Sequence, residues 1–156
     1  MADRTDVAVK RIVVGVDGSP ESKAALRWAA RIAPTIGCSI DAIMAWDYPA
    51  SYGWVMAPDG WPIEEDSAAT LQSIIDEVFG ELRPVNLRAV CQQGAARTVL
   101  LDTSKDAEML IVGSRGHGGF SGLLLGSVSA ACAEHAHCPV LVVHGEPCPN
   151  TKESAA

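Results

Sequence analysis

The sequence predicts an α/β fold, with an open parallel sheet that carries helices on both faces. Four short runs are apolar and rich in β-branched residues, as buried parallel strands are; they cover residues 11–16, 39–46, 109–113 and 139–144. Helical patterns separate these runs, and no internal repeat is present. This alternation of strands and helices favours right-handed crossovers and therefore a parallel sheet.

The first helix is predicted over residues 20–37, directly after the first strand. Ser19 is suited to cap its start, Pro20 suits the first turn, and Gly37 suits its end. Pro34 is expected to distort the last turn, because proline has no N–H for the helical ladder.

The remaining elements follow in order along the chain. Residues 63–82 form an amphipathic pattern with acidic residues in its first turn, which favours a helix start. Residues 85–90 alternate apolar and polar side chains and suit a strand at a sheet edge. A short helix is predicted over 95–105, and a last one over 127–137, ended before Pro139. The sequence therefore predicts five strands.

The composition favours one acidic domain of 156 residues. The net charge of −7 argues against nucleic-acid or membrane-surface binding, which needs clustered lysine and arginine. No apolar run approaches a membrane span, the N-terminus lacks a signal-peptide core, and the five cysteines fit reduced thiols, so we expect a cytoplasmic protein. The predicted domain covers residues 10–145, between a disordered N-terminus, 1–9, and a disordered tail, 146–156.

Two polar clusters follow predicted strands at the sheet edge where ligands of open α/β folds bind. One cluster is Asp17, Gly18 and Ser19; the other is "GSRGHGGFSGLLLGSVS", residues 113–129. Glycines let backbone N–H groups approach an anion, and the last helix begins where this stretch ends. Ser127 is placed to cap that helix or to bind a phosphate, and Ser129 lies within its first turn. The pattern predicts a phosphate site made mostly of main chain.

Two commoner phosphate motifs fail on their spacing. A P-loop needs a lysine after its glycines, and no lysine occurs between Lys105 and Lys152. A dinucleotide fingerprint, GxGxxG, begins with Gly116 and Gly118, but its third glycine position is Ser121. Neither motif explains the stretch.

The stretch resembles the nucleotide motif of the ATP-binding universal stress proteins, G-x2-G-x9-G-[ST]. Gly113, Gly116, Gly126 and Ser127 match it, and the resemblance extends over about residues 11–144, including "VVGVDGS" and "HCPVLVV". It implies a Rossmann-like sheet in the strand order 3-2-1-4-5. In that order the first and fourth strands are neighbours, so Asp17 would face the glycine stretch.

The resemblance also implies a site for ATP or a related adenine nucleotide. Gly113 would lie by the ribose, with the phosphates on Gly116, Gly126 and Ser127. From position alone, the end of the second strand at Ala45 and Trp46 would border the adenine. Arg115 and His117 are either phosphate contacts or solvent-exposed. The predicted nucleotide-binding residues are Asp17, Trp46, Gly113, Arg115, Gly116, His117, Gly126, Ser127, Val128 and Ser129.

Asp17 has three interpretations that the sequence leaves open. It is suited to begin an Asx-turn before the first helix. It is also suited to bind the ribose hydroxyls, or to bind Mg²⁺ or Mn²⁺, because a carboxylate repels a phosphate unless a cation lies between them. The cluster of Cys132, His135, His137 and Cys138 lacks the spacing of a zinc site, so we interpret it as packing and surface residues.

The predicted function is a nucleotide-binding regulatory role in a stress response, with at most slow ATP hydrolysis, since no lysine accompanies the phosphates. The alternatives are a true ATPase or phosphotransferase, a cyclic-AMP-binding protein, and an adaptor without nucleotide. The resemblance implies a homodimer formed through the last strand, Val140 to Val143. The aromatic segment 46–61 is interpreted as a lid, a partner surface or a packed loop.

Overall fold

Five parallel strands form one sheet in the order β3-β2-β1-β4-β5, which confirms the predicted fold. The computed structural model describes residues 9–48, 62–116 and 125–145. The strands are β1 (Arg11–Gly15), β2 (Ser39–Trp46), β3 (Leu87–Gln93), β4 (Met109–Gly113) and β5 (Val140–Val143). The helices are α1 (Pro20–Ile36), α2 (Ile63–Phe79), α3 (Ala96–Thr103) and α4 (Ser127–His135).

The sheet separates two apolar layers. Successive side chains of a strand point to opposite faces, so Ile12 and Val14 of β1 pack towards α1 and α2. Val13, between them, packs on the other face with Val99 of α3 and Cys132 of α4. None of the described helices is long and apolar enough to cross a membrane.

Helix α1 begins and ends as its sequence predicts. The Ser19 hydroxyl oxygen accepts a hydrogen bond from the Ser22 N–H at 3.2 Å, which caps the first turn. Gly37 adopts a left-handed conformation, with φ of 66°, and ends the helix. Pro34 lies inside the last turn, and the helix continues to Ile36.

Two predicted boundaries on the β3 side of the sheet are wrong. The predicted helix 63–82 ends at Phe79, because Gly80 has φ of 53° and starts a short 3₁₀ turn instead. The predicted strand 85–90 lies at Leu87–Gln93, although it is an edge strand as expected. Its extra residues pair with Met44 to Trp46 of the long strand β2, a tertiary contact that local sequence does not reveal.

A buried carboxylate links the amino ends of the strands, at the opposite edge from the polar loops. Asp41 of β2 accepts two hydrogen bonds from Arg88 of β3, at 3.2 and 2.7 Å, and lies 3.6 Å from Arg11 of β1. The hydrogen bond to Asp41 raises the pKa of the Arg88 guanidinium above its ordinary value. This ion pair helps to hold β1, β2 and β3 together at their amino ends. The polar loops lie at the carboxyl ends.

We predict that Gly113→Ala destabilises the domain. A Cβ at position 113 would lie 2.7 Å from Cβ of Glu21 and 2.8 Å from its carbonyl carbon, so α1 would have to move. Such overpacking costs roughly 1–3 kcal/mol. Urea denaturation of the wild type and the variant measures this loss, with Gly145→Ala as control, because no atom lies within 4 Å of its added Cβ. Equal midpoints for Gly113→Ala and the wild type would contradict the close contact.

Candidate functional site

A cavity of about 350 Å³ opens at the carboxyl edge of the sheet, between the ends of β1 and β4. These strands are the neighbours at which the chain order reverses, the position where open α/β sheets bind ligands. Apolar side chains of Ile43, Leu100 and Val112 line its floor. Polar groups and glycines of the two predicted loops line its rim: Asp17, Ser19, Gly113, Arg115, Gly116, Gly126, Ser127 and Ser129.

Asp17 lies between the two loops. One carboxylate oxygen, Oδ1, accepts the Ser19 N–H at 2.9 Å, so Asp17 does form the Asx-turn that the sequence allowed. The other oxygen, Oδ2, lies so close to Gly116 that any Cβ at position 116 would overlap it. Gly116 therefore lets the glycine stretch approach the carboxylate, as expected from the strand order.

Ser19 joins the same two loops by a hydrogen bond. Its hydroxyl donates to the Arg115 carbonyl at 3.4 Å, while its oxygen caps α1. The side chain is buried, so water competes little for this weak bond. The start of α1 and the start of the glycine stretch are thus held next to each other.

The two ends of the glycine stretch meet at Ser114. Its carbonyl accepts the Gly126 N–H at 2.7 Å and the Ser129 hydroxyl at 2.9 Å. Its own N–H donates to the Val143 carbonyl at 2.8 Å, which continues the pairing of β4 with β5. The beginning of α4 is therefore fixed against the end of β4.

Helix α4 starts without a side-chain cap. Gly126 is its N-cap residue, with φ of −69° and ψ of 167°, and among the described residues no side-chain oxygen caps the N–H groups of the first turn. The prediction of Ser127 as cap is wrong, because the extended residue is Gly126 and Ser127 is already helical. Ser127, Val128 and Ser129 all line the cavity. Their N–H groups lack carbonyl partners within the helix and give the cavity a partial positive charge.

Main-chain groups of Ala45 form the other polar edge of the cavity. The Val16 N–H donates to the Ile43 carbonyl, and the Gly94 N–H donates to the Trp46 carbonyl. Because main-chain groups alternate sides along a strand, those of Ala45 point towards β1, beyond its last paired residue. No described main-chain group pairs with them. Ala45 itself lines the cavity, so it presents one donor and one acceptor there.

A second opening of about 360 Å³ continues the cavity towards α2. Both share Val16, Asp17, Ala45 and Ala96, so they form one cleft. The Asp66 carboxylate lines the α2 side, Asp17 borders both openings, and the α4 side has the helix start and Arg115. The cleft therefore has a carboxylate on its α2 side and an arginine on its α4 side.

Not every predicted residue is found on the described cavity wall. Trp46 is absent from the described cavity wall and packs edge-to-face against Tyr48, with ring centroids 5.9 Å apart. His117 lies outside the described residues, as does the aromatic segment from position 49 to 61. Ala96 and Leu100 of α3 line the cavity but carried no signal in the sequence, because only the crossover of α3 brings them there.

No group of three or more histidine, cysteine, aspartate or glutamate side chains in the described ranges is arranged to hold a metal ion. Cys132, from the cluster interpreted as packing, is fully buried in the α3 and α4 layer. Burial, followed by the neighbouring Cys138, raises the pKa of its thiol to about 11.

Comparison with known proteins identifies the relatives of this fold and site. The family model described as "Universal stress protein family" matches residues 8–144. The chain belongs to the universal stress protein family. One member, a universal stress protein of Mycobacterium tuberculosis, is 34% identical over 142 residues, which is 86% of this chain. The chain spans 48% of that relative's length, or about half.

Solved universal stress protein structures share the fold. One, in complex with cAMP, has a TM-score of 0.67 at 24% identity and covers 89% of this chain and 99% of its own. Another, from Archaeoglobus fulgidus in complex with dAMP, has a TM-score of 0.61 at 15% identity and covers 87% of this chain and 98% of its own. At these identities the likeness concerns the fold.

Proposed function

We propose that this universal stress protein domain binds an adenine nucleotide, with ATP as the ligand for which its cleft is best suited. The observation that carries the proposal is the uncapped start of α4, which faces a cavity wall made of glycines. The complexes of related folds with cAMP and dAMP support an adenine ligand. The match of Gly113, Gly116, Gly126 and Ser127 to the motif of ATP-binding members favours the triphosphate.

The phosphates would lie at the α4 end of the cleft. The free N–H groups of the first helical turn donate to phosphate oxygens, and the helix dipole favours negative charge there. The exposed Ser127 hydroxyl adds a donor, and Arg115 adds a charge-assisted one. On the α2 side the Asp66 carboxylate would repel a phosphate, so we expect the phosphates to point towards α4.

The adenine would lie against the end of β2. The Ala45 carbonyl is suited to accept a hydrogen bond from the exocyclic amine of adenine, and the Ala45 N–H is suited to donate to the neighbouring ring nitrogen. Ile43, Leu100 and Val112 supply the apolar surface that a purine ring needs. In this arrangement Ala45 contacts the adenine, whereas Trp46 is only its neighbour in the sequence.

Asp17 lies where the ribose and the first phosphates would meet. Its carboxylate accepts the Ser19 N–H at Oδ1 and, with about four lone-pair sites, is suited to a ligand as well. It would accept a ribose hydroxyl, or supply one oxygen to Mg²⁺ or Mn²⁺ carried by the phosphates. Magnesium sites of this kind use one or two carboxylates together with substrate phosphates, which fits the set of residues present.

We infer a holding rather than a catalytic role, within a regulatory stress response. Efficient phosphoryl transfer uses cations on the transferred group and a positioned base. Arg115 is the sole cationic side chain among the described residues of the cavity wall. This set supports slow hydrolysis at most.

We expect a homodimer formed through β5. β5 is an edge strand, and its residues Val140 to Val142 are half-buried. Leu141 and Val143 line a groove of about 260 Å³ with Trp28 of α1, so a second copy would cover apolar surface and a strand edge that no described strand pairs with. Sedimentation velocity tests this assembly, and a monomer at micromolar concentration would contradict it.

We predict that Gly126→Val weakens ATP binding strongly and leaves the fold intact. A Cβ at this position makes only ordinary contacts, the closest at 3.6 Å, so the chain tolerates it. The branched side chain would shield the first turn of α4 from phosphate oxygens. Calorimetry with ATP and Mg²⁺ measures the affinity, with Gly145→Val as control. A wild-type protein that fails to bind at millimolar ATP would overturn the proposed function, and an unaffected variant would overturn the assigned phosphate position.

We predict that ATP binds at least about tenfold more tightly than ITP. In inosine a carbonyl replaces the amine of adenine, and the neighbouring ring nitrogen carries a hydrogen. The carbonyl would face the Ala45 carbonyl, and the ring N–H would face the Ala45 N–H. Mispaired buried polar groups cost about 1–3 kcal/mol. Because both ligands carry the same triphosphate, competition between them isolates the base contact. Equal affinities would contradict the role of Ala45.

A further inference from the structure

The hydroxyl of Ser129 is bound within the protein rather than offered to a ligand. The side chain is 3% exposed, and its oxygen lies 2.9 Å from the Ser114 carbonyl oxygen and 3.1 Å from that of Gly126. A hydroxyl has one proton, which these two acceptors share. No proton remains for a phosphate oxygen, so Ser129 does not fit the direct phosphate contact predicted from the sequence.

The two acceptors determine how the first peptide of α4 is oriented. The Gly126 carbonyl points into the helix, where it accepts the Ala130 N–H at 2.9 Å together with the Ser129 hydroxyl. In a trans peptide the C=O and N–H groups point in opposite directions. The Ser127 N–H, which shares this peptide, therefore points away from the helix and towards the cavity that Ser127 lines.

We propose that Ser129 is a positioning residue for the phosphates, which acts through the Gly126–Ser127 peptide. Its hydroxyl joins the end of β4, at Ser114, to the start of α4, at Gly126, and so holds the Ser127 N–H in the direction of the ligand. The proposal rests on the proposed nucleotide function of the same cleft. It assigns Ser129 no contact with the ligand.

If Ser129 positions a phosphate-binding N–H group, loss of its hydroxyl weakens the binding of ligands that carry phosphate. A general structural role would weaken the binding of all ligands alike. We expect Ser129→Ala to weaken ATP binding about tenfold, the usual cost of misaligning a charge-assisted hydrogen bond. Adenosine, which reaches the base and ribose positions only, is expected to bind as to the wild type. Ser129→Thr keeps the hydroxyl, which a helical threonine readily donates to a preceding carbonyl, and is expected to restore ATP affinity.

Ser104 provides a matched control. It is also fully buried and near a helix end, and its hydroxyl donates to the Leu101 carbonyl at 3.3 Å, away from the cavity. Ser104→Ala removes the same group and is expected to leave the ratio of ATP to adenosine affinity unchanged. Ser129→Cys, of similar volume but a poor donor, serves as a second loss variant if the alanine variant unfolds.

Calorimetry of these variants with ATP and with adenosine decides the matter. A lower ATP affinity with constant adenosine affinity supports the proposal, especially if threonine reverses it. Unchanged ATP affinity in both loss variants, or an equal loss for both ligands, overturns the positioning role while the nucleotide function stands. A wild-type protein that binds neither ligand overturns both.

Discussion

The site depends on the hydrogen bonds at the Ser114 carbonyl. This oxygen receives the Gly126 N–H and the Ser129 hydroxyl, and thereby fixes the start of α4 against the end of β4. A long glycine stretch would otherwise leave its two ends free to move apart, at a large cost in conformational entropy on binding. With both ends joined, the helix start is already formed on the cavity wall.

The acidity of the chain explains why the site is built from main chain. A protein of net charge −7 gains little long-range attraction for an anion. Helix dipoles and oriented N–H groups act at short range, and the glycine-lined wall lets a phosphate reach them. The Asp66 carboxylate would repel a phosphate from the α2 side of the same cleft and so favour one orientation of the proposed ligand.

The sequence predicted the elements that depend on local pattern. The strand runs, the Ser19 cap and the Gly37 end follow from composition and spacing, and the resemblance implied the strand order. The features it missed depend on register and crossover geometry: the Asp41 ion pair, the Ala45 main-chain groups and Leu100 of α3. The sequence also did not show that the Ser129 hydroxyl bonds the Ser114 and Gly126 carbonyls, because these contacts depend on how α4 packs against β4.

The three motif glycines lack a side chain for different physical reasons, and the reasons at Gly113 and Gly116 require no ligand. Gly113 lets β4 approach the backbone of Glu21 in α1, and Gly116 lets the glycine stretch approach the Asp17 carboxylate. Gly126 has room for a Cβ, which would make only ordinary contacts, so under the proposed function its role is to keep the start of α4 open. Gly113 and Gly116 therefore allow close packing of the main chain, whereas Gly126 leaves the first turn of α4 accessible. A chain that kept Gly113 and Gly116 but replaced Gly126 would retain this fold without its open helix start.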